Sequence, residues 1–314
     1  ALRAVGVKPG DKVLTNAFTL APVPGAIASV GGTPIYVGVT EDLTIDLEDL
    51  AANAQDAKVL MLSHMRGHLC DMDRLMEICT AAGVTVIEDC AHTMGGSWNG
   101  TLSGRHGLIG CYSCQTYKHV NSGEGGLLIT DDAEVAARAI LLSGSYMLYS
   151  RHLAAPEPEV FERVKYDTPN ISGRMDNLRA AILRPQLADL PAQVARWNAL
   201  YEVVETGLRN TPGLKVIERP EEESIVGSSI QFLLPRAGRA QIDAVLKGCA
   251  ARGVELKWFG ADEPHGYTSR HQSWLAGTRL KTGRYRAKKR QDEIARPRAI
   301  FGGNIASGPY ILSD

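Results

Sequence analysis

No apolar run in this 314-residue chain approaches the ~20 residues that a membrane-spanning helix needs. Neither sign of charge is in excess: 34 Lys and Arg stand against 35 Asp and Glu, a formal net charge of −1. Nucleic acid and anionic membrane are therefore not expected as the main partner. No secretory signal pattern opens the chain. An initiator Met is also lacking. Ala1-Leu-Arg-Ala-Val-Gly-Val-Lys-Pro-Gly10 reads as the end of a helix already under way, so further residues are expected upstream. The six cysteines, at 70, 79, 90, 111, 114 and 249, show no framework spacing and read as reduced cytoplasmic thiols. Cys111 and Cys114 have CxxC spacing without a second pair. On a strand end such residues point to opposite faces, which argues against a redox or metal role.

What is present is an ordinary globular composition, 44% hydrophobic and 22% charged, long enough for about two domains. Apolar runs at Val13–Thr15, Thr33–Val39, Lys58–Ser63 and Val84–Asp89 predict strands. Between them, Ala26–Val30, Leu47–Ala54 (capped by Asp46) and Asp71–Ala82 (ended by Gly83) predict helices. This alternation at intervals of about 20–30 residues predicts a mainly parallel α/β sheet, with ligands beyond the C-terminal strand ends. A further helix is predicted over Ala133–Leu142, capped by Asp131 or Asp132, and irregular chain over Gly144–Pro169. Arg174–Gly207 reads as largely helical, broken or kinked by Pro185 and Pro191, and carries the domain boundary. We divide the chain into a large domain, 1–192, and a smaller α+β domain, 193–314. The latter has strands at Leu214–Ile217, Ser229–Leu234 and Val254–Trp258 around a helix at Arg239–Arg252. Nine Lys and Arg against two acids between Arg279 and Arg298 read as a solvated tail rather than a polyanion site.

The stretch that carries chemistry is Gly110–Gly126. An apolar run leads into hydroxyl and amide groups, then Lys118, then the glycine-rich turn Gly123-Glu-Gly-Gly126. A lysine at a strand mouth can serve carbonyl chemistry once its proton affinity is lowered. Upstream, Asp89 closes a buried strand and His92 follows three residues later. An amine to hold an aldehyde, an acid to hold a ring nitrogen protonated and a hydroxyl for a phosphate are what pyridoxal 5'-phosphate requires. Lys118, Asp89 and Ser113 offer them, with further donors from Asn121 and the glycine backbone. A zinc site from His64, His68 and Cys70 is permitted by spacing alone, and Gly67 opposes the helix it would need.

Val86-Ile-Glu-Asp-Cys-Ala-His-Thr-Met-Gly-Gly96 followed by Tyr112–Gly126 resembles the DegT/DnrJ/StrS family of pyridoxal-phosphate-dependent sugar aminotransferases. Gly32-Thr-Pro-Ile-Tyr-Val, Ser63-His-Met-Arg-Gly67 with Asp71-Met-Asp73, and Asn170–Met175 with Ala180-Ala181 and Gln186-Leu187 resemble further family segments, in order, over about Ala1–Phe259. The resemblance implies the aspartate-aminotransferase fold. It assigns the cofactor Schiff base to Lys118, the pyridine nitrogen to Asp89, the ring 3′-oxygen to His92 and the phosphate to Ser113. Asn170 would reach the cofactor of a neighbouring subunit, implying a homodimer with shared sites. There are departures. The family's phosphate loop is expected before Ala1. The ring-stacking aromatic aligns with Leu20, with Phe18 two residues earlier. Gly38 stands at the family's strand-end Asp, and residues 170–175 hold one extra position.

The activity implied is ping-pong transfer of an amino group from glutamate or glutamine to a keto-sugar or keto-cyclitol. The alternative is a non-catalytic or incomplete cofactor-binding homologue acting as an interaction protein. Lys118 argues against the dehydratase branch of the family, which carries His there. Arg151, His152, His265 and Tyr267 are candidates for lining the acceptor site, with surface residues the equal alternative.

Overall fold

The buried apolar runs of the first half become one sheet. The computed structural model describes residues 1–144 and 146–259, and the backbone of 299–304. The first-half strands are β1 (Lys12–Asn16), β2 (Thr33–Val37), β3 (Val59–Ser63) and β4 (Thr85–Asp89). They are followed by the short β5 (Ser97–Trp98) and β6 (Thr101–Leu102), then by β7 (Ile109–Ser113) and β8 (Gly126–Ile129). The main sheet has the order β2-β1-β3-β4-β7-β8 and is parallel except for β8, which runs antiparallel to β7. This is the expected α/β class with a mixed edge.

Helices cover both faces, as the unbroken apolar runs require. On one face Leu14, Leu60, Leu62 and Val86 meet residues of α2 (Leu47–Asn53) and α3 (Met72–Ala82). On the other, the alternate strand residues Val13, Val59, Met61, Ile87 and Ile109 meet α1 (Pro22–Ser29) and α4 (Ala133–Ser143). The helix ends follow their local signals. Asp46, Asp71 and Asp132 each accept backbone N–H bonds at an N-terminus, and Gly83 closes α3 in the left-handed conformation.

Two expectations are corrected. Residues 144–169 are not wholly irregular. They hold α5 (Pro158–Val164), whose Val160, Phe161 and Val164 pack on Ala137 and Ile140 of α4. Seven residues are too few for periodicity to reveal, and Pro158 sits at the first turn, where proline is tolerated. Second, neither proline breaks the helix at 174–207: α6 runs from Asn177 to Arg209 through both. Pro185, Pro191 and the residues four positions before them are exposed, so water can take the carbonyls that lose their partners.

Beyond α6, β9 (Lys215–Val216), β11 (Ser229–Leu234), β12 (Lys257–Trp258) and β13 (Ala299–Asn304) form an antiparallel sheet in the order β12-β13-β11-β9. The helix α7 (Arg239–Ala250) buries Ile242 in the cluster that holds Ile230 and Phe232. A third, small sheet joins β10 (Glu223–Ser224) to β5 and β6. The basic segment 279–298, His265 and Tyr267 lie outside the described residues.

Candidate active site

Four neighbouring parallel strands each end in a polar residue: Asn16 on β1, Ser63 on β3, Asp89 on β4 and Ser113 on β7. Ser63 lies opposite Asp89 in register, and Asp89 opposite Cys111. The Asp89 carboxylate is held at both oxygens. Oδ2 accepts from Ser63 Oγ at 2.9 Å and Oδ1 from Ala91 N at 3.1 Å. Ser63 is fixed in turn by Asn16, whose Oδ1 accepts from Ser63 N (2.8 Å). Asn16 Nδ2 donates to Ser63 O and to Phe18 O (3.0 Å each).

Lys118 lies in the loop between β7 and β8. The loop closes on itself through Cys114 N to Gly125 O (2.9 Å), Ser122 N to Cys114 O (3.0 Å) and Thr116 N to Gly123 O (3.0 Å). Gly125 has φ +138°, a backbone conformation that would strain any residue with a side chain. Asn121 secures the loop to α6: its N–H and C=O bond the Gln186 amide at 3.0 and 2.8 Å. The Asn121 side chain donates to Lys118 O at 3.2 Å. The lysine Nζ stands 3.2 Å from His92 Nε2.

Burial lowers the proton affinity of the Lys118 amine. The Asp89 charge opposes that shift and the Arg66 charge adds to it. His92 is pushed well below the ordinary imidazole value by burial, then by the charges of Lys118, Arg66 and His119. His119 falls to about 4 through burial and the Lys118 charge. A neutral His92 can accept a hydrogen bond from Lys118 at Nε2. The cation pressing on both groups, Arg66, is buried in a left-handed backbone conformation, φ +60°, with its guanidinium 5.6 Å from the Phe259 ring. Such a conformation costs a non-glycine residue about 1–3 kcal/mol and gathers at functional sites.

The site thus brings together Lys118, His92 and Asp89, with Ser113 two residues beyond Asp89's register partner. Ser113 Oγ accepts from Gln115 N at 3.3 Å. Phe18 is buried with Val39, Met65, Ile217 and Leu233, its ring edge-on to Phe259 at 5.6 Å, and half-buried Leu20 packs on the same cluster. Asn170 is exposed, and its Oδ1 accepts from Ser172 N (2.9 Å) beside Gly144. Arg151 and His152 are exposed.

The zinc reading is displaced by other partners. His64 Nε2 meets Glu88 Oε2 at 2.9 Å, His68 Nε2 donates to Gln231 Oε1 at 2.6 Å, and the Cys70 thiol faces Met72 sulfur at 3.6 Å. His64, Glu88 and Cys90 do cluster, but each Glu88 oxygen already takes two donors. Gly104 N (2.9 Å) shares Oε2 with His64, while His106 N (2.8 Å) and Gly107 N (2.7 Å) share Oε1. Burial pushes the Cys111 thiol up to about 11 and raises that of Cys114, the reverse of a reactive pair.

Sequence reading left Asn16, Arg66, Glu88 and His119 without roles. Their signal was a polar residue closing or following an apolar strand. The turn after β3 is gripped by residues that follow α6 in the chain. Arg219 Nη1 donates to Gly67 O and to Glu223 Oε1 (2.7 Å each), Glu223 Oε1 accepts from Leu69 N (2.9 Å), and Ser229 Oγ donates to Arg66 O (3.3 Å). His119, next to the lysine, meets Ser228 Oγ at 2.7 Å and lies 5.2 Å from the Trp197 ring.

Residues 1–265 match the DegT/DnrJ/EryC1/StrS aminotransferase family. The chain belongs to that family. Its members are pyridoxal-phosphate-dependent aminotransferases, and named relatives include sugar and aminocyclitol aminotransferases. Over 256 residues the chain is 33% identical to the "pleiotropic regulatory protein" of Geobacillus stearothermophilus, covering 79% of this chain and 64% of that one. Over 220 residues it is 31% identical to dTDP-3-amino-3,4,6-trideoxy-alpha-D-glucose transaminase of Streptomyces venezuelae, covering 68% and 54%. The chain thus spans less than two thirds of the length of these relatives. The solved structure of S. venezuelae DesV superimposes with a TM-score of 0.76 at 25% identity, covering 96% of this chain and 74% of that one. No described helix is long and apolar enough to cross a membrane.

The donor set fits pyridoxal 5'-phosphate. A carboxylate anchored at both oxygens lies within electrostatic reach of an amine whose proton affinity burial has lowered, and a strand-end hydroxyl stands nearby.

Proposed function

We propose that this chain carries the amine-transfer site of a sugar or aminocyclitol aminotransferase, moving nitrogen from glutamate or glutamine to a keto-sugar or keto-cyclitol. The observation that carries the reading is Lys118 Nζ at 3.2 Å from His92, with the charge of Asp89 acting on the same amine at the strand ends. Pyridoxal 5'-phosphate supplies an aldehyde for covalent attachment and a protonated ring that draws electrons from the adjoining carbon. Lys118 Nζ is the attachment point. Once released, it takes the proton from the donor's α-carbon and later returns it, and its lowered proton affinity favours the free amine that this task needs. Asp89 keeps the ring nitrogen protonated through lone pairs that Ser63 and Ala91 leave open. His92, kept neutral, steers Nζ and would face the ring oxygen of the bound cofactor. Ser113 Oγ retains its proton for a phosphate oxygen, and Asn121 holds the lysine loop in place. Donor and acceptor use the site in turn, which gives ping-pong kinetics. Exposed Tyr117, Ile171, Leu178 and Ile182 surround the lysine loop and the Asn170 segment in sequence, which supports a homodimer in which Asn170 serves the neighbouring site.

The test is direct. Protein given the cofactor turns yellow, and borohydride fixes the label on Lys118; Lys118→Ala abolishes both. Label on another residue refutes the assignment. Because the chain spans part of its relatives' length, a binder without turnover is the second reading. Loss of the yellow absorbance on adding glutamate or glutamine identifies the enzyme, and its persistence identifies the binder.

A further inference from the structure

We propose that Asn16 and Ser63 form a positioning relay across three adjacent strand ends, holding the Asp89 carboxylate in the orientation that meets a cofactor ring nitrogen. The inference rests on the reading of Asp89 given above. Its physical basis is the way the bonds are divided. Ser63 presents its hydroxyl to Asp89 Oδ2 at 2.9 Å from a backbone that cannot drift, because Asn16 grips both Ser63 N and Ser63 O. Asn16 is itself 1% exposed and spends a third bond on Phe18 O, so its amide is locked at both ends. The relay therefore runs sideways across β1, β3 and β4, with one residue from each, and the sheet's parallel register sets its geometry.

A carboxylate held only by Ala91 N could turn about its Cβ–Cγ bond. Bonds to both oxygens fix its plane, which leaves lone pairs at a constant direction toward the site. Ser63 touches no reacting atom in this account, and Asn16 acts through Ser63. Both are positioning residues. Glu88, next to Asp89, is turned to the opposite task. Its four donors come from His64 and the 104–107 segment, so the two adjacent acids share no partner.

The experiment compares Ser63→Ala, Ser63→Thr, Asp89→Asn and the double variant Ser63→Ala/Asp89→Asn with the parent chain, each given pyridoxal 5'-phosphate. Ser63→Ala is preferred to Asn16→Ala because it strands no buried backbone donor. Two readouts are taken: the cofactor dissociation constant, and the pH midpoint of the visible absorbance. A ring nitrogen that is less firmly protonated repels the proton at the lysine linkage less, so that midpoint rises. Ser63→Ala weakens cofactor binding about tenfold, the scale of one lost hydrogen bond to a charged group, and raises the midpoint. Ser63→Thr restores both. The double variant matches Asp89→Asn, because a relay with no carboxylate to orient has nothing left to lose. A midpoint in Ser63→Ala equal to the parent's overturns the relay, provided that Asp89→Asn moves it. If Asp89→Asn leaves the midpoint unmoved, the underlying assignment of Asp89 fails, and the relay with it. A Ser63→Ala effect that persists undiminished in the Asp89→Asn background also overturns the relay.

Discussion

Glu88 offers the sharpest test of how the site is supported. It is fully buried and receives His64 Nε2, Gly104 N, His106 N and Gly107 N within 2.9 Å. In Glu88→Ala all four donors lose their acceptor. His106 and Gly107 are half-buried and can turn to water, but His64 and Gly104 are enclosed. At about 1–3 kcal/mol for each stranded buried donor, the loss is about 2–6 kcal/mol before any cavity cost, set against a domain stability of about 5–15 kcal/mol. Glu88→Gln is gentler and more informative. Its amide NH2 can face His64, whose ring can switch tautomer to accept, but Gly104 N then faces a donor. We expect a loss of about 2–3 kcal/mol at neutral pH. The pH dependence has a definite sign. Burial favours the neutral carboxyl, yet the bonds and charge from His64 and the backbone outweigh it and hold Glu88 below its ordinary value of 4.5. A group depressed on folding contributes its stability above the unfolded value and loses it as pH falls through the folded one. The gap between parent and Gln variant is therefore full above about pH 4.5 and closes below it. Urea unfolding of the cofactor-free chain at a series of pH values measures this. A Gln variant within about 0.5 kcal/mol of the parent at pH 7, or a gap that stays full well below pH 4.5, refutes the reasoning.

Two further outcomes follow from the same geometry. The rate at which Lys118 captures added pyridoxal 5'-phosphate rises with pH, with a midpoint below the 10.5 of an ordinary lysine; Arg66→Ala moves that midpoint up and Asp89→Asn moves it down, and the reverse order would contradict the charges acting on the amine. Gly110→Ala places a Cβ 2.5 Å from Gly104 O inside β7, so unfolding free energy falls by about 2 kcal/mol, with a lower melting temperature; a neutral result would show that the Gly104 turn can move aside.

Much of the six-stranded sheet and its helices could be read from the residues because their signals are local. Asp46, Asp132 and Gly83 each announce a helix end, and the unbroken runs at 59–63 and 85–89 announce strands covered on both sides. Lys118, Asp89 and His92 stood out for the same reason: each follows such a run closely. The partners that fix them did not stand out. The bond from Asn16 to Ser63 spans 47 residues and that from His68 to Gln231 spans 163, and no periodicity reports a pairing across that distance. Phe18 shows the opposite limit. Its place near the site was legible, but its packing against Phe259 and Ile217 depends on residues about 200 or more positions further on.

The grip of residues 219–231 on the turn at 66–69 has a consequence during synthesis. Arg219, Glu223, Ser229 and Gln231 follow the groups they bind by 152 to 163 residues. At about 5–20 residues per second, a ribosome delivers them about 8–30 s later. For that interval β1, β3 and β4 can pair, while the turn that carries Arg66 waits with its carbonyls bound to water. Lys118 leaves the ribosome before the arginine that bears on it is clamped, so a nascent chain cannot hold the arrangement around Lys118 until its second half has emerged.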